Sequence, residues 1–408
     1  MKTKQLKFLV LLFLFISAVS CSNDDDMNQE DQENHNPEYH GNVSLLVSDA
    51  NSTALNFINP FNSEIQTFQA SFPKGVVYVT QSGLYGIITH REHDFTETFN
   101  LGGEIDHGDH SHSLGETGLT DTNFESMKPT HFKSEQGYVA VYNDGDATLS
   151  LFKENDINGG ASVSNIATGT AAHHGAMVIF DNGNIAVTNL GSGISLPEKV
   201  HIINQQGEVI SQEEQSLSTS GIHGSAGNDD TAIFGAASGI LVVQDNGDQR
   251  IIDYPESFEE EVWFGSILAT NEPDLFIGYT AAKGVYFIDI STEEVTPLLE
   301  TSDLFKCMVS LDGNEVVSLT KTGSFTITDV STQEHVYTGT MGVTLDTEST
   351  DHSSITSNVD YFEDYLFVSI PTSNKIIQYN LSEMNIEKEY DLDITPYQFK
   401  VLSYDIAH

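Results

Sequence analysis

Basic residues are scarce in this chain: 16 Lys and Arg stand against 60 Asp and Glu in 408 residues, a formal net charge of -44. That deficit excludes DNA, RNA and anionic membrane surfaces as partners of the folded part, because binding them depends on neutralising phosphates with cationic side chains. Cations and basic surfaces are the partners it leaves. Cysteine is scarcer still, with only Cys21 and Cys307. Cys21 is the lipidation residue described next, so no internal disulfide can form and a Cys-rich zinc site is excluded. Helix-length apolar periodicity is almost absent after the leader, and no GxSxG-type elbow stands out for serine-nucleophile chemistry. Apolar material is plentiful: 38% of residues are hydrophobic, including 23 Phe and 15 Tyr, which supplies a large core and sets the chain apart from disordered acidic polymers.

Lys2, Lys4 and Lys7 precede an apolar run through Val10, Leu12, Phe15 and Ile16, and the small residues Ser17-Ala18-Val19-Ser20 lead to Cys21. This is the pattern of a lipoprotein signal peptide over residues 1–20, with cleavage freeing Cys21 for lipidation. A diacylglycerol on the thiol and an acyl chain on the new N-terminus would together give a stable membrane anchor. The acidic run Ser22-Asn23-Asp24-Asp25-Asp26 resembles a lipoprotein surface-export signal. The expected location is therefore the bacterial outer membrane, with the body either surface-exposed or periplasmic. Residues 21–41, acidic and nearly free of apolar side chains, read as a flexible tether, and residues 42–408 as a single domain. Cleavage removes three lysines and no acid, leaving 13 basic against 60 acidic residues, or -47.

From Val43 onward, short alternating runs rich in β-branched residues are separated by Asn-Gly, Asp-Gly and Ser-Gly turns. The recurring unit is strand, turn, strand, turn, strand, with starts near residues 131, 173, 223, 263, 307 and 359, a spacing of about 45 residues that marks a propeller. Two more units fit upstream, around 76–99 and 43–68. The first unit lacks an innermost strand, while 397–404 forms a lone strand at the other end of the chain. The predicted fold is an all-β propeller of eight blades, with seven as the alternative, closed by pairing the C-terminal strand with the N-terminal blade.

Three of the 15 histidines recur in register: His131 after Lys128-Pro129-Thr130, His174 in His173-His174-Gly175, and His223 in Ile222-His223-Gly224. Each opens a unit. Since the first strand of a blade lines the central channel, residues 42 to 50 apart in sequence are expected to converge near its mouth. Imidazoles in an oxidising compartment without free thiols suit Zn²⁺. A second cluster, Asp106-His107-Gly108-Asp109-His110-Ser111-His112, lies on a long loop between two units. It is expected to fold over the channel mouth and add ligands above the unit-opening histidines. Alternation along extended backbone puts His110 and His112 on one side, so that both face the metal or His112 assists delivery.

These elements, with the stretch from 221 to 243, resemble the AztD family of periplasmic zinc metallochaperones, β-propellers that accompany a zinc ABC transporter and its solute-binding protein. The resemblance spans about residues 43–405. It implies zinc binding by His107, His110, His131, His174 and His223, with Asp109 as an oxygen ligand, and a partner that receives the metal. Ser220 stands where some relatives carry a cysteine, and the lipid anchor is a further departure that bears on hand-off to a soluble periplasmic partner. The function expected is non-catalytic: capture of zinc, then storage or transfer to a transporter binding protein or an outer-membrane receptor. The alternatives are a lactonase-like metal-dependent propeller hydrolase, which would favour Ca²⁺ on Glu, Asp and Asn, and a scaffold for proteins or glycans.

Overall fold

A computed structural model describes residues 42–106, 110–190, 196–259, 262–348 and 355–404. The signal peptide, Cys21 and the tether lie outside these residues, as do His107 and Asp109. Within them the chain forms an eight-bladed β-propeller. Blades 2 to 8 follow in chain order at residues 76–125, 129–167, 177–203, 222–252, 266–300, 304–340 and 359–391. Blade 1 is assembled from both ends of the chain: residues 43–69 supply three strands, and Pro396–Ser403 supplies the innermost. Seven blades have four strands. Blade 4 has three, and the outermost position is taken by the segment around Val209, which bridges Ile203.

Period-two alternation builds the core by giving each face of a blade to a different neighbour. In the second strand of blade 3, Tyr138–Asn143, Val139 and Val141 pack with Ile87, Ile88 and Phe99 of blade 2. The intervening Ala140 and Tyr142 pack with Met177, Ile179 and Val187 of blade 4. Apolar clusters of buried side chains fill the spaces between blades, and a one-residue slip in a strand would exchange its two neighbours.

Ring closure is an antiparallel ladder running from Val43↔Ser403 to Ser48↔Gln398. The Tyr390 hydroxyl donates to the Pro60 carbonyl at 2.6 Å, tying blade 8 to blade 1. Phe399, Val401 and Leu402 on the closing strand are buried. At roughly 1.5–3 kcal/mol each, their removal would consume about 5–9 kcal/mol, most of the roughly 5–15 kcal/mol that holds a domain folded. Deleting residues 396–408 is expected to abolish the cooperative thermal transition in circular dichroism. A truncated chain that still melts in one sharp step would contradict this account of closure.

All innermost strands run in the same sense. Residues that open them lie at one end of the central channel, the entry end, and the turns that follow lie at the far end.

Candidate metal centre

His131 and His223 lie where their strands are irregular. In blade 3 the register shifts between Pro129 and His131, and in blade 5 it shifts between Ile222 and Ser225. Such bulges re-aim side chains, here toward the channel axis. His174 lies just before the innermost strand of blade 4, Met177–Ile179. The following Gly175 is required by a close approach, because a Cβ there would come within 2.4 Å of the Tyr142 hydroxyl. The result is a triad at the entry end. His131 Nε2 and His174 Nε2 are 3.1 Å apart, and His174 Nε2 and His223 Nε2 are 3.2 Å apart. The ring centroids are separated by 4.5, 5.1 and 6.0 Å, with His174 in the middle.

The partners on the opposite ring nitrogens decide what the triad presents. His223 Nδ1 donates to the Gly265 carbonyl at 2.8 Å, and His174 Nδ1 donates to Asp144 Oδ2 at 2.8 Å. Neither oxygen can donate: a carbonyl only accepts, and Asp144 is ionised. Burial alone would raise the Asp144 carboxyl, but hydrogen bonds from His174, Thr130 and Arg91 hold it below the ordinary carboxylate range. With both Nδ1 atoms carrying protons, His174 and His223 in their neutral forms turn bare Nε2 lone pairs toward each other. Burial, then the neighbouring His174, pushes His131 well below the usual histidine range, so its ring too is neutral at pH 7. Lone pairs facing one another at about 3 Å repel, and a proton or a cation placed among them removes the repulsion. Arg91 Nη2 also reaches Asp144 Oδ2, at 3.2 Å, so one buried carboxylate oxygen serves both the imidazole and a guanidinium.

No protein-family model matches the chain. The zinc chaperone AztD of Citrobacter koseri is 27% identical over 140 residues, a stretch covering 34% of this chain and 32% of that protein. The crystal structure of Citrobacter koseri AztD superposes with a TM-score of 0.76 at 20% identity, over 90% of this chain and 99% of that one. The chain is similar to AztD in sequence over that third of its length and in fold over most of it. The apo form of the same Citrobacter protein gives a TM-score of 0.75 at 19% identity, covering 89% of this chain and 99% of that one. A more distant propeller, the dihydro-heme d1 dehydrogenase NirN, gives 0.57 at 11% identity, over 92% of this chain and 77% of that one, a likeness of fold alone.

In this AztD-like propeller the remaining predicted residues fall elsewhere. His110 and His112 belong to a small hairpin, Gly103–Asp106 paired with Ser111–Gly115. Their rings meet edge to face at 4.9 Å. The hairpin is inserted between the third and outermost strands of blade 2, where the chain turns at the far end: Asn100 pairs with Tyr85, whereas Arg91 follows His90 at the entry end. Asn100 Nδ2 and Asn158 Nδ2 both donate to the Leu114 carbonyl and fix the hairpin base there. The expectation that this loop caps the mouth above His131, His174 and His223 is thereby corrected. Its base leaves from the opposite end of the blade. His173, the neighbour of His174, is buried and bonded to the Ala171 carbonyl and the Thr188 hydroxyl, a packing role. Sequence reasoning missed Asp144 and Gly265. Asp144 sits in the turn Asn143-Asp144-Gly145, which reads as an ordinary β-turn, and Gly265 acts through its backbone oxygen, which has no signature in the sequence.

Proposed function

We propose that this protein is a zinc carrier that captures Zn²⁺ at His131, His174 and His223 and holds it for storage or transfer, without turnover. The observation that carries the reading is the convergence of three Nε2 atoms at 3.1 and 3.2 Å, with two tautomers fixed by Asp144 and Gly265. Three imidazoles are a set that zinc accepts, and a fourth position left to water is the arrangement from which a ligand exchanges. Among the described residues no group of three or more His, Cys, Asp or Glu stands ready at metal-holding spacing. Three nitrogens bound to one tetrahedral zinc at about 2.0–2.1 Å lie about 3.3–3.4 Å from one another. The triad thus has to open by a few tenths of an ångström to load, a displacement that rotation of the partly exposed His174 ring supplies. The Citrobacter relative is named a zinc chaperone, which supports the same assignment.

On this reading Cys21 anchors the protein to the outer membrane and residues 21–41 hold the propeller away from it. The excess of acid raises the local cation concentration, within a Debye length of about 8–10 Å at physiological salt. The far-end hairpin with His110 and His112 serves as a separate collecting site, to which His107 and Asp109 are assigned from the sequence, and the recipient is a transporter binding protein or an outer-membrane receptor. Equilibrium dialysis of the mature protein against micromolar free zinc tests the proposal: one or more retained ions support it, and none retained ends it.

Asp144 is the orienting partner of the middle ligand, and such partners typically contribute 10- to 100-fold in affinity. Asp144→Asn is therefore expected to weaken zinc binding about 10- to 100-fold in competition with a chelating dye, while the thermal transition is retained. An unchanged affinity would remove Asp144 from the site.

A further inference from the structure

The mature chain has only 13 basic residues, and three of them, Lys133, Lys306 and Lys400, lie on innermost strands and line one cavity of about 630 Å³ in the far half of the channel. A protein this short of cations places them on its axis, at the cost of partly burying each one. Two are engaged: Lys133 Nζ donates to the Ser225 carbonyl at 2.8 Å, and Lys400 Nζ reaches Asp360 Oδ1 at 3.2 Å. The Lys306 ammonium has no hydrogen bond or ion pair among the described residues, and its charged neighbours are Lys400 and Asp360. An ammonium withdrawn from water without a partner is among the costlier arrangements a protein can hold, and a counter-charge relieves it. The innermost strands are also bonded on one side only, so they add backbone N–H donors along the cavity wall.

We propose that this cavity is a binding site for a small oxyanion, a molecule bearing a phosphate or carboxylate group that bridges Lys306 and its neighbouring lysines. The volume is in the range of small-molecule sites. The other charged groups lining it limit the class of ligand. Asp181, Asp229 and Asp312 stand exposed on the turns at its rim, and Glu135 lies beside Lys133. An acidic rim in contact with water is screened by salt and lets a compact anion pass, but it repels an extended polyanion along its whole length. Burial, then Lys400, holds the Lys306 ammonium below the usual lysine range, and a bound anion would restore its charge.

The site is separate from the histidine triad, so it is tested on metal-free mature protein. Calorimetric titration with inorganic phosphate and with citrate, using chloride as a control without oxygen acceptors, is expected to show one saturable site for at least one oxyanion. The preferred oxyanion identifies the source. Lys306→Met should weaken that binding at least about tenfold, whereas His174→Ala should leave it unchanged. The same oxyanion should raise the melting temperature of the wild type and of His174→Ala but not of Lys306→Met. Lys306→Gln serves as the second variant should the methionine protein not fold. No saturable binding of either oxyanion, or equal binding by the wild type and a folded Lys306 variant, would overturn the proposal.

Discussion

Replacing His174 with alanine is expected to cost zinc affinity about 100-fold or more, the largest effect of any single substitution. The ring stands between His131 and His223, with its Nε2 within 3.2 Å of both partners. Removing it leaves His131 and His223, whose ring centroids are 6.0 Å apart, and zinc is then held by two imidazoles and water. Orienting residues alone contribute 10- to 100-fold, so loss of the central ligand must exceed that range. His131→Ala and His223→Ala remove outer members and should cost less, though each still more than Asp144→Asn. The fold should survive all three changes, because none of these rings belongs to the apolar clusters between blades. Chelator competition measures affinity and thermal melting measures folding. Equal zinc retention by the wild type and His174→Ala would refute the assignment.

The second large effect is on pH. Metal binds the neutral imidazole, so protons compete as the pH falls toward and below about 6.5. The sign for His131 is opposite to that of a histidine stabilised as a cation. Its value in the fold is depressed by burial and then by His174, so it stays neutral where an unfolded histidine already takes up a proton. Its contribution to the folded, metal-ready state is complete above about 6.5 and declines as the pH falls from there toward the depressed value. His131 therefore takes no part in proton competition between pH 7 and pH 5. An ordinary imidazole would cost about 25-fold over that interval and three about 10⁴-fold, so with His131 protected the fall in zinc affinity is expected to be no more than about 600-fold. A titration of apparent affinity against pH in a non-coordinating buffer checks the slope. A three-proton slope would show that His131 is not protected.

The ring of blades was legible in the sequence because alternation and Gly turns repeat at a near-constant interval, and each strand meets the same demand, one face for each neighbouring blade. Even the closing strand could be located, since 43–68 lacked an innermost strand and a spare one stood at the other end of the chain. The three triad histidines were legible for the same reason: they open consecutive units, and the propeller turns that register into proximity. The histidine hairpin was misplaced because alternation tells which side of a strand a residue takes but not at which end of the blade a loop emerges. That end follows from strand parity, and an insertion between the third and fourth strands can only leave from the far end. Asp144 was hidden because its turn, Asn143-Asp144-Gly145, resembles ordinary turns of the chain such as Asp181-Asn182-Gly183 and Asp245-Asn246-Gly247. Lys306 and its neighbours were three unremarkable lysines until the ring brought positions 133, 306 and 400 to one axis.

Anomalous diffraction at the zinc edge, on crystals of the mature protein loaded with one equivalent of zinc, tests the central claim most directly. The predicted result is a single dominant peak about 2.0–2.1 Å from the Nε2 atoms of His131, His174 and His223. A map with no peak among those three rings, or with the zinc only at the hairpin of His110 and His112, would contradict it.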